Sequence, residues 1–195
     1  MTKKILIATH NEHKVEEFRR ICPTFEFISL KQLNDNEDFI ETGKTFEENS
    51  FLKANHFFEK HRLITIADDS GLEVSYLNNR PGINSKRYSG GDDNQNNIKL
   101  LNELKDVKER TASFRCVLTL FEDENEITQF EGVMTGEIAN ELRGSEGFGY
   151  DPLFLIPSEN KTLAELGSSY KDKHSHRAKA LLLLKEHLDE NISNE

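Results

Sequence analysis

Apolar residues along this chain come in short bursts with two distinct periods. "KKILIAT", residues 3–9, is a brief apolar run of the kind buried strands show, and "NEHKVEEFRRI" after it sets Val15, Phe18 and Ile21 at helical spacing. "FEFISL" returns as a strand. "TFEENSFLKANHFFEK", residues 45–60, is the clearest helix. Thr45 and Glu48 make a capping-box pair at its start, and Phe46, Phe51, Ala54, Phe57 and Phe58 share one face. Lys53 lies on the rim of that face one turn after Asn49, so its methylenes can cover the core edge while its ammonium reaches a cleft.

The next burst, "LITIADDSGLEV", stops abruptly at Asp68 and Asp69. Neighbouring strand residues point to opposite faces, so a continuing strand would bury one carboxylate, which is costly without a partner. The pattern therefore predicts a strand that ends at the aspartates and turns through Gly71, letting both carboxylates reach one cation such as Mg²⁺. A plain turn, in which Asp and Ser bond the local backbone, is the competing reading. Downstream, "RPGINSKRYSGG" is punctuated as a loop and a helix follows from about Asn94. "ASFRCVLTLFE" and "EITQFEGVMTGEI" alternate as paired antiparallel strands around the acidic turn "EDENE". "YDPLFLI" is a further strand, and "SHRAKALLLLKEHLDENI" a terminal helix with Ser175 as its N-cap. The sum is an α/β protein with a mixed sheet and two lobes around a groove.

Length and charge narrow the picture. The 195 residues suit one domain, 1–195, large enough to build a core without disulfides. Cys22 and Cys116 lack C-x-x-C spacing and read as reduced thiols. "ALLLL" is too short to span a bilayer and the first residues turn polar quickly, so the expectation is a soluble, cytoplasmic protein with no membrane partner. A net charge of −10 argues against nucleic acid as a partner; a polyanionic substrate would need local cations or a divalent ion.

Several stretches could carry chemistry. Thr9, Asn11 and Lys14, in "THNEHK", join a strand to a helix start, where free N–H groups and the helix dipole favour phosphate; a solvated helix start is equally compatible. Glu41 precedes a glycine turn and the helix carrying Lys53. "RGSEGFGYDPLF" combines glycines with Phe148, Tyr150 and Asp151, and aromatic faces stack on bases, although a glycine-rich turn with core aromatics has the same composition. "KDKHSHR" brings Lys171, Lys173, His176 and Arg177 to the start of the last helix, where cations oppose the dipole and so serve a ligand or a carboxylate, unless they form a solvated basic patch.

Taken in order, "ATHNEHKVEEF", "ETGKTFEENSFLKA", "IADDSGLEV", "PGINSKRYSG", "GFGYDPLF" and "SHRAKAL" resemble the inosine triphosphate pyrophosphatase family over nearly the whole chain. The resemblance implies hydrolysis of ITP, dITP and XTP to the monophosphate and pyrophosphate, with Mg²⁺ as cofactor. It implies an elongated mixed β-sheet with flanking helices, two lobes around a central cleft, and usually a homodimer. By the same resemblance the loop of Thr9, His10, Asn11, Glu12, His13 and Lys14 holds the triphosphate and Lys53 reaches the phosphates. Glu41, Asp68 and Asp69 surround Mg²⁺, with Asp69 as proton acceptor, and Ser70 contacts substrate. Phe148, Gly149, Tyr150, Asp151, Lys171, His176 and Arg177 line the base pocket. Asn84 and Lys86 depart from the family pattern, which bears on the dimer or on closure over substrate rather than on catalysis. Two other readings remain at this point: a Maf-type pyrophosphatase of pyrimidine or modified nucleotides, and a non-catalytic nucleotide-binding module.

Overall fold

The computed structural model describes residues 4–192; Lys3, at the start of the first predicted strand, lies outside them. The strands form one mixed sheet in the order β2-β1-β3-β5-β6-β7-β8, with β4 paired to β3. The chain divides into two compact units, one of Met1–Asp69, Cys116–Gly132 and Arg177–Glu195, the other of Ser70–Arg115 and Val133–His176.

In the first unit, β1 (Lys4–Ile7) runs parallel to β2 (Glu26–Ser29) on one side and to β3 (Ile64–Val74) on the other. Parallel neighbours require crossovers, which α1 (Glu12–Ile21) and α2 (Phe46–His61) supply. Strand alternation then sorts two cores. Ile5, Ile7 and Ile66, with Cys116, Leu118 and Leu120 of β5 (Thr111–Phe121), pack with Val15 and Phe18 of α1 and with Ala180, Leu181 and Leu184 of α6 (His176–Ile192). Leu6, Ala8, Ala67 and Phe121 pack with Ala54, Phe57 and Phe58 of α2. Full burial of a side chain such as Phe18 or Phe57 contributes roughly 1.5–3 kcal/mol each. Phe51, expected on the buried face of α2, is instead 38% exposed and leans on Phe121 at a ring separation of 5.4 Å. Thr45 does cap α2, accepting the Glu48 N–H, but the Glu48 carboxylate takes the Lys44 N–H, so the reciprocal half of the capping box is shifted by one residue.

The second unit is built around Leu72, Val74, Leu100, Phe114, Met134, Phe154 and Leu163. Its helix α3 (Asp93–Glu103) opens with a full capping box between Asp92 and Gln95. β4 (Arg80–Pro81) pairs antiparallel with the end of β3. β6 (Ile127–Ile138) follows β5 through the turn expected at "EDENE", where the Glu122 N–H bonds the Glu126 carbonyl. β7 (Phe154–Ile156) lies antiparallel to both β6 and β8 (Lys161–Thr162). Two short helices, α4 (Leu163–Leu166) and α5 (Ser168–His174), escaped the sequence pattern, although Thr162 and Glu165 form a capping box that announces the first. Lys171 and Lys173 accordingly sit on α5 and not at the start of α6, with Ser175 the non-helical residue between the two helices.

One prediction about β3 is overturned. The strand does not end at the aspartates; it continues through Asp68, Asp69, Ser70 and Gly71 to Val74. Continuation is possible because each carboxylate finds its own set of partners on its own face of the sheet. Among the described residues no helix is long and apolar enough to cross a membrane.

Candidate active site

The strand order locates the place to look. In the first unit the chain leaves β1 for β2 on one side and later returns to β3 on the other, so the connections diverge between β1 and β3. In open α/β sheets ligands bind outside the carboxyl ends of the strands at such a switch point. β1 ends there in the loop 8–11, which leads into the first turn of α1 with Lys14, while β3 runs on past Ile66, whose carbonyl accepts the Ala8 N–H at 2.8 Å, into Asp68 and Asp69.

The loop is tightly self-bonded. Thr9 Oγ1 accepts the Asn11 N–H at 3.2 Å, and Asn11 Oδ1 caps α1 by accepting the N–H groups of His13 and Lys14. Three of the N–H donors expected to meet phosphate are thus already engaged. His10 Nε2 lies 2.9 Å from the Glu37 carbonyl oxygen, and Glu12 and His13 are exposed. Lys14 turns inward to Asp68.

Alternation along β3 sends the two aspartates opposite ways. Asp68 follows Ile64 and Ile66 onto the α1/α6 face, where it is 1% exposed. Its Oδ1 accepts from the Lys14 ammonium, and its Oδ2 accepts from Arg177 Nε at 2.9 Å and faces the Cys116 thiol at 3.1 Å. Arg177 Nη1 in turn pairs with Glu17. Despite the desolvation that opposes ionisation, Arg177 and Lys14 hold the Asp68 carboxyl well below the usual carboxylate range. Burial and the adjacent Asp68 charge push the Cys116 thiol well up, so it stays protonated. Glu17 was not singled out from the sequence, though it stands three residues after Lys14 on the same stripe of α1.

Asp69 follows Thr65 and Ala67 onto the α2 face, where Glu41, Asn49 and Lys53 surround it. Lys53 is 9% exposed, and its ammonium meets Glu41 Oε1 at 3.0 Å. The Asn49 amide oxygen accepts the Gly43 N–H at 2.8 Å, holding the turn after Glu41 against α2. Burial pushes the Asp69 carboxyl up to about 6; Glu41 adds to the rise, while Lys53, Lys14 and Asn49 oppose it. The expected set of three carboxylates around one ion is therefore not assembled: Glu41 and Asp69 share a side, and Asp68 faces away into its ion pairs. Among the described residues no group of three His, Cys, Asp or Glu side chains forms a metal-holding cluster. Glu41 with Asp69 still fits Mg²⁺, which needs only one or two carboxylates when waters and phosphate oxygens complete its shell. Burial first, and the Glu41 charge after it, raise Asp69, and a divalent cation would offset both.

The remaining candidates lie in the second unit, apart from Arg177 in the first. Asp151 Oδ2 accepts both the Phe148 N–H at 3.0 Å and the Lys171 ammonium at 2.8 Å, and that ammonium stands 4.6 Å from the Phe148 ring centroid. Gly149, at φ +62°, donates to Asp93 at 2.7 Å and accepts from Asn97 at 2.8 Å, a pair one turn apart on α3 that the sequence reading missed. Tyr150 is buried with its hydroxyl on the Ser85 carbonyl, so it anchors the loop rather than presenting a face. His176 stacks on Phe114 with ring centroids 4.8 Å apart. Ser70 continues β3 directly after Asp69. Arg177, expected beside the base, is 2% exposed and committed through two nitrogens to Asp68 and Glu17; its role here is to hold carboxylates.

The chain is similar to known proteins over nearly its whole length. Residues 5–187 match the Ham1 family. A protein of Clostridium perfringens named dITP/XTP pyrophosphatase is 49% identical over 199 residues, spanning 95% of this chain and 97% of that protein. One of the same name from Bacillus subtilis is 45% identical, spanning 96% of this chain and 98% of its own. The solved structure of the Staphylococcus aureus Ham1 protein superposes with a TM-score of 0.89 at 42% identity, covering 97% of this chain and 100% of that one.

Proposed function

The chain belongs to the Ham1 family, and from that premise we propose that it is a Mg²⁺-dependent pyrophosphohydrolase of non-standard purine nucleoside triphosphates. Its substrates on this reading are dITP, ITP and XTP, and its products a nucleoside monophosphate and pyrophosphate. The observation that carries the chemistry is the Asp69 carboxyl raised to about 6 beside the Lys53–Glu41 pair. In the metal-free protein this carboxyl is mostly ionised at neutral pH, which is the form a general base needs.

Asp69 takes a proton from a water molecule as the water oxygen bonds the α-phosphorus and the bond to the bridging oxygen of pyrophosphate breaks. Lys53 balances charge on the phosphate chain, and Glu41 orients its ammonium. Glu41 and Asp69 are the residues that would hold Mg²⁺, which when bound supplies charge neutralisation at the phosphate oxygens. Lys14, anchored by Asp68, adds positive potential at the head of α1. Together these groups offset the repulsion between a chain of net charge −10 and a substrate carrying about four negative charges.

For base choice, the Lys171 ammonium over Phe148 is a donor suited to the 6-oxo group of hypoxanthine or xanthine. Adenine offers an amino donor there and would leave the ammonium facing a like partner. Sites built to bond a substrate group reject analogues lacking it by about 10⁴ or more. Action as a cytoplasmic homodimer belongs to the same reading, and sedimentation equilibrium tests the assembly.

The deciding experiment measures pyrophosphate release from dITP, XTP, ITP, ATP and dTTP, each with Mg²⁺ and with EDTA. Metal-dependent turnover of the first three, at least about a hundredfold above ATP, is expected. Turnover of dTTP without ITP would turn the reading to a pyrimidine-directed enzyme, and no turnover at all would leave only a binding module.

A further inference from the structure

The segment between β2 and α2 has no regular structure from 35 to 44, yet it carries Glu41. Its side chains alternate. Asp35, Glu37, Phe39 and Glu41 all meet α2, Glu37 from an exposed position, and Asn36, Asp38 and Ile40 between them are exposed, Ile40 to 78%. On α2 the partners Lys53, His56 and Lys60 lie at i, i+3 and i+7, one stripe of the helix. Rung follows rung in opposite chain directions. Lys60 lies 2.7 Å from Asp35 and 2.7 Å from Glu37; His56 lies 2.8 Å from Glu37; Lys53 lies 3.0 Å from Glu41. His61 adds a contact to Asp35 at 2.7 Å, and Phe39 stands 5.4 Å from the His56 ring and 6.3 Å from that of Phe57. Asp35, only 7% exposed, also accepts the Glu37 N–H, which turns the segment onto the helix.

We propose that Lys60 and Asp35 are positioning residues for Glu41: the basic stripe of α2 registers the acidic segment, and that register sets the Mg²⁺ affinity of the site. The inference rests on the assignment of Glu41 as a Mg²⁺ ligand. Neither residue touches the reacting groups; Lys60 lies two helical turns from Lys53. Lys60 bridges two carboxylates at once, so its removal takes away two contacts and leaves His61 at Asp35, His56 at Glu37 and Lys53 at Glu41. A mis-set Glu41 weakens the metal and loosens the hold on the Lys53 ammonium, and saturating metal draws Glu41 back to restore both.

Two measurements on Lys60→Met, with Asp35→Asn as the buried counterpart and Lys60→Arg as the rescue, test this. In the metal-free protein, amide hydrogen exchange at Glu37, Gly43 and Lys44, whose N–H groups are bonded to Asp35, Asn49 and Glu48, should quicken about tenfold in Lys60→Met and Asp35→Asn and stay near wild type in Lys60→Arg. In turnover of dITP, the Mg²⁺ concentration for half-maximal rate should rise about tenfold in Lys60→Met, with kcat at saturating metal within about threefold of wild type. Unchanged exchange and unchanged metal requirement in Lys60→Met would overturn the proposal, as would a lowered kcat with an unaltered metal requirement. Because exchange is read without metal or substrate, it judges the register by itself. A wild-type protein that fails to hydrolyse dITP overturns the functional reading instead, and the dependence on Glu41 with it.

Discussion

Replacing Asp69 by asparagine should make the metal-free protein more stable, and by an amount that grows with pH. Asp69 is buried on the α2 face beside Glu41, and its pKa rises from 3.8 to about 6 on folding. A group whose folded pKa lies above its unfolded value favours the native state fully below the unfolded pKa and loses that contribution as pH rises through the folded one. The shift amounts to about 3 kcal/mol by pH 8, of which about half is already lost at pH 5. Asparagine has no such titration and keeps the shape. The stability of Asp69→Asn relative to wild type should therefore increase by about 1.5 kcal/mol between pH 5 and pH 8.

Urea unfolding in EDTA at the two pH values measures this directly, provided the slope with denaturant is unchanged between the proteins. Addition of Mg²⁺ at pH 8 should stabilise wild type and narrow the gap, because only the ionised carboxylate binds the ion. The same variant should lose about a thousandfold in kcat, the scale of a missing general base. A gap that stays constant or shrinks from pH 5 to pH 8 would show that Asp69 is not held against desolvation, and the argument for it as the base would fall with it.

Arg177→Met should cost about 3–5 kcal/mol in urea unfolding, since it leaves Asp68 and Glu17 buried without the guanidinium that joins them. A loss under about 1 kcal/mol would mean the network reorganises at little cost. Lys171→Met should raise the KM for dITP and reduce its preference over dATP while affecting kcat less, and unchanged selectivity would remove Lys171 from base recognition.

Much of the fold was legible because its elements carry strong local patterns. The parallel strands are apolar bursts, α2 announces itself with Thr45 and a phenylalanine face, and the β5–β6 turn is a run of acidic residues. What escaped were features decided by distant partners. The period-2 rule alone gave β3 two options, to end at Asp68 or to bury a charge, and burial looked prohibitive. It is not prohibitive, because Arg177, 109 residues away along the chain, and Lys14 bring the compensating charges. The same non-local pairing commits Arg177, expected beside the base, to Asp68 and Glu17. The short helices α4 and α5 were missed for the opposite reason: four and seven residues are too few for a period to show.

The unbroken β3 assigns different work to two adjacent, chemically identical side chains. On one face Asp68 is surrounded by cations, and its ionised form contributes to folding across the whole neutral range. On the other, Asp69 has a carboxylate neighbour and one close ammonium shared with it, and ionisation there opposes folding. A site that must gather a cation and accept a proton needs the second environment, and a strand end packed between helices needs the first. Alternation lets a single dipeptide supply both, which a turn placing the two carboxylates side by side could not do. The acidic pair is therefore compatible with the strand continuing, since on opposite faces Asp68 is neutralised by Lys14 and Arg177 while Asp69 lies beside Glu41 and Lys53.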